Sequence, residues 1–327
     1  MKFVFGPVPS RRLGQSLGVD PIPLKTCNWN CVYCQLGRTT PLTNARGEFF
    51  PRQEIFAEIQ RSLQQLPPGR ADWVTFVGSG ETCLYSGLGW LIRQVKQITS
   101  LPVAVITNGS LLYLPEVRRE LQTADAVLPS LDAGDAALYR RINRPLPRLT
   151  FERLVAGLIA FRREYSGRLW VEVMLLKGMN DSQPALEAIA KTLNSIHPDQ
   201  IHISLPTRPP AEPWVLPAEN DRLQAALAIL GEVAHIVPPE GGYLGLDSQD
   251  DLPQALLGIL TRHPMGEQEL IAALERRAPG ASRQLLQQLA ESGQVKVVER
   301  YGKRFWSAAR TRHPQVGLER NNRQKRP

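Results

Sequence analysis

The sequence predicts an α/β chain whose parallel strands alternate with helices and roll into a partial (β/α)6 barrel. Three observations lead there. Apolar runs of strand length recur from residue 15 to about 240, amphipathic stretches of helix length separate them, and small polar residues follow the runs. Parallel strands joined by helices bury both faces, which six strands achieve by closing or nearly closing.

The first strand is SLGVD (16–20). WVTFVG (73–78), VAVIT (103–107), AVLPSLD (126–132), LWVEVMLL (169–176) and IHISLP (201–206) follow. Among the helices between them, one begins after Thr150, a candidate N-cap. Phe151, Leu154, Val155, Leu158 and Ile159 recur there at i, i+3, i+4, i+7 and i+8 and share a face that should cover the sheet. In such a fold the working groups sit on loops after the carboxyl ends of the strands. Pro238-Pro239 and the glycines Gly241 and Gly242 mark a linker between about 238 and 252, separating a barrel (1–240) from a smaller domain (241–309). In the latter, residues 252–262, 267–276 and 281–292 read as helices and 294–308 as a hairpin turning at Tyr301-Gly302, a winged-helix-like arrangement. Residues 310–327 carry six Arg or Lys against one Glu, the composition of a disordered basic tail.

At 327 residues and 43% hydrophobic content, with a mean hydropathy of -0.22, the chain can bury a sizeable core. Its longest clean apolar run, Leu154 to Phe161, falls far short of the roughly 18 residues of a transmembrane helix. The start, MKFVFGPVPSRR, turns polar too early for a signal peptide, so a cytoplasmic protein is expected. A net charge of +8 favours an anionic partner without naming it. Four cysteines, three of them within eight positions, exclude a disulfide framework and point to a metal or cluster.

The stretch T-C-N-W-N-C-V-Y-C sets Cys27, Cys31 and Cys34 in a CxxxCxxC spacing on the loop after the first strand. Three thiolates on one loop can wrap one cubane. A [4Fe–4S] cluster ordinarily takes four cysteines, so three leave one iron open to an outside ligand. Zinc would need a fourth protein ligand; Cys83, the spare thiol, follows a different strand and reads as a buried residue. On spacing alone, a zinc site or a structural cluster stays open.

With this motif the sequence resembles the radical S-adenosylmethionine (SAM) superfamily. The block FGPVPSRRLGQSLGVDPIPLKTCNWNCVYCQLGRTT (5–40) looks like a subgroup akin to wyosine-type tRNA-modifying Fe–S oxidoreductases, and the likeness covers roughly residues 5–240. The resemblance implies that Cys27, Cys31 and Cys34 hold a [4Fe–4S] cluster whose fourth iron is chelated by the amino and carboxylate groups of SAM. It implies that an electron from the reduced cluster breaks the sulfonium C–S bond, giving a 5′-deoxyadenosyl radical that abstracts hydrogen from the substrate. Tyr33, before the third cysteine, would lie against the adenine. Gly78-Ser79-Gly80-Glu81 resembles the Gly-Gly-Glu motif that receives the methionine amino group, with Ser79 replacing a glycine and Thr82 where proline is common. A turn of small residues admits close backbone approach, and a carboxylate there can pair with an ammonium. By the same resemblance Thr107, Asn108, Ser130 and Asp132, then Glu172, Met174, Asn180, Ser204 and Leu205, complete the wall; Ser130 and Asp132 would meet the SAM ribose and carboxylate. Capping, turn chemistry and core packing account for these residues almost as well.

Two arginine clusters, Ser10-Arg11-Arg12 and Arg140, Arg141 and Arg144, suit phosphates or carboxylates, or simply a solvated surface. Arg283 on helix 281–292, with Lys303 and Arg304 on the hairpin, can meet nucleic-acid phosphate, but winged helices also mediate protein contacts and Arg283 is the one basic residue of its helix. Charge and resemblance together make RNA the leading substrate class, with a peptide or a small metabolite as alternatives. The remaining single cysteine provides no four-cysteine auxiliary cluster, which disfavours peptide maturation. Electrons are expected from a separate ferredoxin or flavodoxin. The competing reading is a non-enzymatic iron–sulfur sensor that binds DNA through its winged helix. The five histidines form no ligand pattern.

Overall fold

The computed structural model describes residues 2–237, 252–277, 280, 282–311 and 313. Its main sheet has eight strands in sequential order: β1 (Val4–Ser10), β2 (Gly14–Val19), β3 (Trp73–Phe76), β4 (Val103–Ile106), β5 (Ala126–Leu128), β6 (Arg168–Met174), β7 (Gln200–Ser204) and β8 (Ala234–Ile236). β1 runs antiparallel to β2, and every later pair is parallel. The six expected strands are β2 to β7, so the parallel count is seven rather than six, with an antiparallel strand in front. Both additions lie at sheet edges. β1 contains Pro7 and Pro9, which argue against a strand unless it sits at an edge, and β8 is only Ala-His-Ile.

Seven helices return the chain between strands: α1 (Arg52–Gln65), α2 (Leu88–Ile98), α3 (Pro115–Leu121), α4 (Ala136–Ile142), α5 (Phe151–Glu164), α6 (Gln183–Ile196) and α7 (Asn220–Leu230). α5 starts where its cap predicts, with the Thr150 hydroxyl accepting from Arg153 N at 3.3 Å. Leu154 and Leu158 are buried with Gly157 and Phe161, whereas Phe151, Val155 and Ile159 are only half-buried. The covered face is therefore turned slightly from the expected one.

The sheet curls. Strands three places apart in a flat sheet are ~14 Å apart, yet the Trp73 ring on β3 meets the Trp170 ring on β6 with centroids 5.9 Å apart. Arg12, in the turn between β1 and β2, likewise forms an ion pair with Glu172 on β6. The inner face is thus concave, carrying a small apolar cluster with Trp73, Ala104, Leu128 and Trp170, while the larger core lies under the helices.

The C-terminal elements are α8 (Leu252–Arg262), β9 (Met265–Gly266), α9 (Glu267–Arg277), α10 (Ser282–Glu291), β10 (Val295–Arg300) and β11 (Lys303–Ala308). The three helices and the hairpin are where the sequence places them. Its turn puts Tyr301 and Gly302 at φ 53 and 69, the left-handed pair that a two-residue hairpin loop requires. β9 is additional, pairing with β11 to make a three-stranded sheet. Their core, built on Leu256, Ile259, Leu270, Leu286 and Trp306, also takes in Phe5 and Val8 of β1. The expected linker and basic tail lie almost wholly outside the described residues. Among the described residues no helix is long and apolar enough to cross a membrane.

Candidate active site

The loop after β2 carries Cys27, Cys31 and Cys34, and the end of α4 braces it. Asn30 N donates to the Asn143 and Arg144 carbonyls (3.0 and 3.1 Å), and Val32 N to the Ile142 carbonyl (2.9 Å). The buried Trp29 ring packs edge-on against Tyr139, 5.3 Å between centroids. The three thiols are half-buried, and each sulfur faces a nitrogen donor. Trp29 N and Asn108 Nδ2 lie 3.4 and 3.9 Å from Cys27 Sγ, Asn143 Nδ2 lies 3.7 Å from Cys31 Sγ, and Lys25 Nζ lies 3.2 Å from Cys34 Sγ.

Burial pushes the Cys27 thiol up to about 12, with the Glu81 charge adding to it. Burial and the two neighbouring sulfurs push Cys31 well above its usual range. Such thiols are poor thiolates on their own, and surrounding N–H groups and a cation offset part of that. Three cysteines on one loop with hydrogen bonds to sulfur fit a cluster held by three protein ligands.

The Gly78-Ser79-Gly80-Glu81 turn after β3 lies directly against this loop. Lys25 N donates to the Ser79 carbonyl at 2.7 Å and Glu81 N to the Thr26 carbonyl at 3.0 Å. A Cβ on Gly80 would sit 1.7 Å from the Thr26 carbonyl oxygen, so only glycine permits the approach. Glu81 is 1% exposed, and its carboxylate accepts from Cys83 N (2.9 Å), the Thr107 hydroxyl (2.5 Å) and Asn108 N (2.7 Å). Burial pushes Glu81 up, and these donors pull it part of the way back. The Asn108 amide then reaches Asn28 Oδ1 at 2.7 Å as well as Cys27, so Glu81, Thr107, Asn108 and Cys27 form one contiguous network. Cys83 is buried beside Glu81, apart from the three loop thiols, and burial pushes it up.

Asp132, 1% exposed, accepts from the Tyr33 hydroxyl (2.6 Å), the Asn143 amide (2.6 Å) and Met174 N (2.8 Å). Burial outweighs these donors and pushes it up to about 6. Asn180 is fully engaged by backbone: its Oδ1 accepts from Leu176 N, and its amide donates to the Asp132 and Met174 carbonyls, each at 2.8 Å. It ties the loop after β5 to the end of β6. Ser130 bridges to Glu172. For Glu172 burial works upward, but Arg12, the Ser204 hydroxyl and Arg11 together hold it below the ordinary carboxylate range. Burial pushes His202 down to about 4, so this imidazole is neutral at neutral pH.

A cavity of about 290 Å³ opens between the cysteine loop and the inner face of the sheet. Cys31, Tyr33, Cys34, Glu172, Met174 and Leu205 line it, whereas Cys27, Gly78 to Glu81, Thr107, Asn108, Ser130, Asp132 and Ser204 do not. Ser10, Arg11 and Arg12 line it too. The other arginine cluster does not: Arg140 and Arg141 face solvent, and Arg144 pairs with Glu212. Sequence reasoning missed Asp20, Lys25, Asn28 and Asn143. The first three flank or fall within the quoted motif, but Asn143 reaches it from 112 positions away, with no local signal.

The family model of the radical SAM superfamily matches residues 22–205. The chain is 38% identical over 298 residues to the GTPase Obg of Brachyspira hyodysenteriae, covering 90% of this chain and 43% of that protein, less than half its length. It is 33% identical over 310 residues to a UPF0026 protein of Methanocaldococcus jannaschii, covering 94% and 96% of the two chains. A radical SAM methyltransferase from Sphaerobacter thermophilus has a similar fold, with a TM-score of 0.53 at 20% identity over 68% of this chain and 66% of that one. The cysteine loop lies inside the matched span and its thiols suit the cofactor of that family, so the chain belongs to the radical SAM superfamily, whose members use a [4Fe–4S] cluster and SAM.

Proposed function

We propose that the chain is an enzyme that cleaves SAM reductively and modifies an anionic substrate, RNA in the first place. The observation that carries the chemistry is the set of three loop thiols, each faced by a nitrogen donor, packed against a turn where Gly80 has no room for a side chain. Cys27, Cys31 and Cys34 would hold the cluster. Gly78, Ser79, Gly80 and Glu81 would take the SAM amino group, Tyr33 its adenine and Ser130 its ribose, while Asp132, whose oxygens are held by Tyr33, Asn143 and Met174, would position Tyr33. Thr107, Asn108, Glu172, Met174, Ser204 and Leu205 would complete the wall. Bound there, cluster and SAM supply one-electron chemistry that opens the sulfonium C–S bond and yields a carbon radical able to take hydrogen from a substrate. The chain's own part is to orient both groups and keep water from the cavity, with electrons coming from a separate ferredoxin or flavodoxin.

The RNA reading is supported by the net charge of +8 and by the wyosine-like sequence block. Support also comes from the order helix, strand, helix, helix, strand, strand at the C-terminus, which is that of a winged helix. Lys303 and Arg304 are exposed on its hairpin. On this reading residues 1–240 are the barrel, 241–309 the winged helix and 310–327 a basic tail, and the protein works in the cytoplasm.

Anaerobically reconstituted protein given dithionite and SAM should release 5′-deoxyadenosine and methionine, and Cys31→Ala should abolish release while the circular dichroism spectrum is kept. Zinc at one equivalent with no sulfide would refute the assignment. Mass spectrometry after incubation with cellular RNA and, separately, a metabolite extract tests the substrate class.

A further inference from the structure

Two segments touch the cysteine loop directly by backbone and face solvent on their other side. Residues 39–43 run along it: Thr39 N donates to Asn30 Oδ1 at 2.9 Å, the Thr39 hydroxyl to the Trp29 carbonyl at 2.7 Å, and Thr43 N to the Cys27 carbonyl at 2.8 Å. The second segment follows β7, where Glu212 N donates at 3.0 Å to the carbonyl of Val32, which lies between Cys31 and Cys34 in sequence. Each presents a large apolar side chain to solvent. Leu42, bridge-paired with Cys27, is 40% exposed, and Trp214, two residues past Glu212, is 51% exposed. The chain between solvent and the thiols is thus one segment deep at these two places.

The charges beside this apolar pair are few and positive on balance. Arg38 and Arg144 reach the same Glu212 carboxylate, at 3.3 and 2.5 Å, so two guanidiniums meet one acid. Both belong to the loop's surroundings: Arg38 precedes Thr39, and the Arg144 carbonyl accepts from Asn30 N. A nucleic-acid backbone asks for a row of cations, which two arginines sharing one carboxylate do not supply. An exposed tryptophan and leucine beside a modest positive charge suit a small, short-lived protein contact instead. Interfaces favour tryptophan and arginine, and encounters between redox partners bury little area.

We propose that this face, with Leu42 and Trp214 at its centre and Arg38 and Arg144 beside them, is the docking surface for a small acidic one-electron carrier protein. The carrier gives up one electron and a cluster on Cys27, Cys31 and Cys34 takes it; no bond forms or breaks. Electron transfer weakens steeply with distance, which favours the side where least chain covers the thiols. This rests on the enzymatic reading above and names the partner of that site. Residues 310–327, with six Arg or Lys against one Glu, have the wrong charge to take the carrier's place.

Biolayer interferometry of the full-length reconstituted protein with an acidic flavodoxin and an acidic ferredoxin, both oxidised, reads binding without turnover. At least one carrier should bind, and more weakly as salt is raised, since salt screens exposed charges. Trp214→Ala should weaken that carrier by about tenfold, the scale of a truncated interface anchor. Leu42→Ser tests the patch independently and should also weaken it, and Arg38→Gln should lower both affinity and salt dependence. Arg61→Gln, on an exposed face of α1, should do neither. With the reduced carrier as donor, SAM cleavage by the three patch variants should fall in step with affinity. Cleavage driven by dithionite, which needs no docking surface, should stay at the wild-type rate. Wild-type affinity in Trp214→Ala and Leu42→Ser, no binding of either carrier to the wild type, or an equal loss with dithionite overturns the proposal. Lost RNA binding with carrier binding kept gives the face to RNA and overturns it too. Carrier binding that the variants weaken, in a wild-type protein that never cleaves SAM with dithionite, refutes the enzymatic reading and leaves the surface standing.

Discussion

Arg262, the last residue of α8, latches the C-terminal elements to the glycine turn. Its Nε donates to Asp20 Oδ2 at 2.8 Å, with side chains only 11% and 2% exposed. Asp20 also accepts from Ser79 N (3.0 Å), the Ser79 hydroxyl and Ile22 N (3.2 Å), so one carboxylate joins α8, the end of β2 and the turn carrying Glu81. Arg262→Met removes the cation but keeps an apolar stem near the Phe5 ring, over which the guanidinium lies at 4.9 Å. Removing one partner of a buried pair costs about 3–5 kcal/mol, because the other charge is stranded. Three surviving donors still serve Asp20, which places the cost at the low end, about 3 kcal/mol. With an unfolding entropy of about 2.1 cal/mol/K per residue over 327 residues, the midpoint falls by about 4 °C. Asp20→Asn combined with Arg262→Met strands no charge and should recover part of the loss. Urea unfolding of the two single variants and the double variant measures the coupling. A coupling below about 0.5 kcal/mol, the limit for independent sites, would refute the latch.

Three other perturbations test the site from different sides. Gly80→Ala drives a methyl group into the Thr26 carbonyl, overpacking that costs about 1–3 kcal/mol or more, and should displace Cys27; reconstituted protein should hold markedly less iron and sulfide, and a full complement would contradict this. Lys25→Met takes a cation from beside Cys34 and should make the cluster harder to reduce by tens of millivolts, where about 59 mV is tenfold for one electron; a redox titration followed by electron paramagnetic resonance reads it, and an unchanged potential counts against it. In the metal-free chain the Asp132 carboxyl should titrate at about 6, visible as the difference between wild-type and Asp132→Asn infrared titrations. Because burial raises this acid, its contribution to stability is fully present below the ordinary carboxylate range and is lost as pH rises through about 6. A midpoint in the ordinary range would show that the three donors outweigh burial.

The cysteine loop and the strand ends were legible because their signals are local. CxxxCxxC needs one loop, and Thr107, Asp132 and Ser204 fall at or just after ends of apolar runs that any parallel sheet of this order brings to one side. Nothing local marks Asn143 as the donor to Cys31 or Arg262 as the partner of Asp20, since these pairs are 112 and 242 positions apart. The barrel count fell short for a different reason. A seventh parallel strand of three residues has no run to read, and the prolines of β1 conceal a strand whose ladder lies at the sheet edge.

β1 is also what gives the cavity two owners. Phe3, just before it, and Val4, at its start, belong to the main core, whereas Phe5 and Val8 belong to the core of the C-terminal elements. The Phe5 ring occupies the space beside Gly18 on β2 that a side chain would take; a Cβ there would be 2.2 Å from the ring. α8 packs on Phe5 through Leu256, Ile259 and Leu260, and from its end Arg262 reaches Asp20 and His263 reaches Arg208. The part of the cavity wall that the C-terminal elements supply therefore packs beside a phenyl ring that needs a glycine opposite it, and both lie within the first 20 residues. Deleting the C-terminal elements would strip that wall and expose Phe5 and Val8 together, so lost turnover in a truncated chain would not separate substrate delivery from damage to the cavity. Single substitutions leave the wall in place, and they can separate the two.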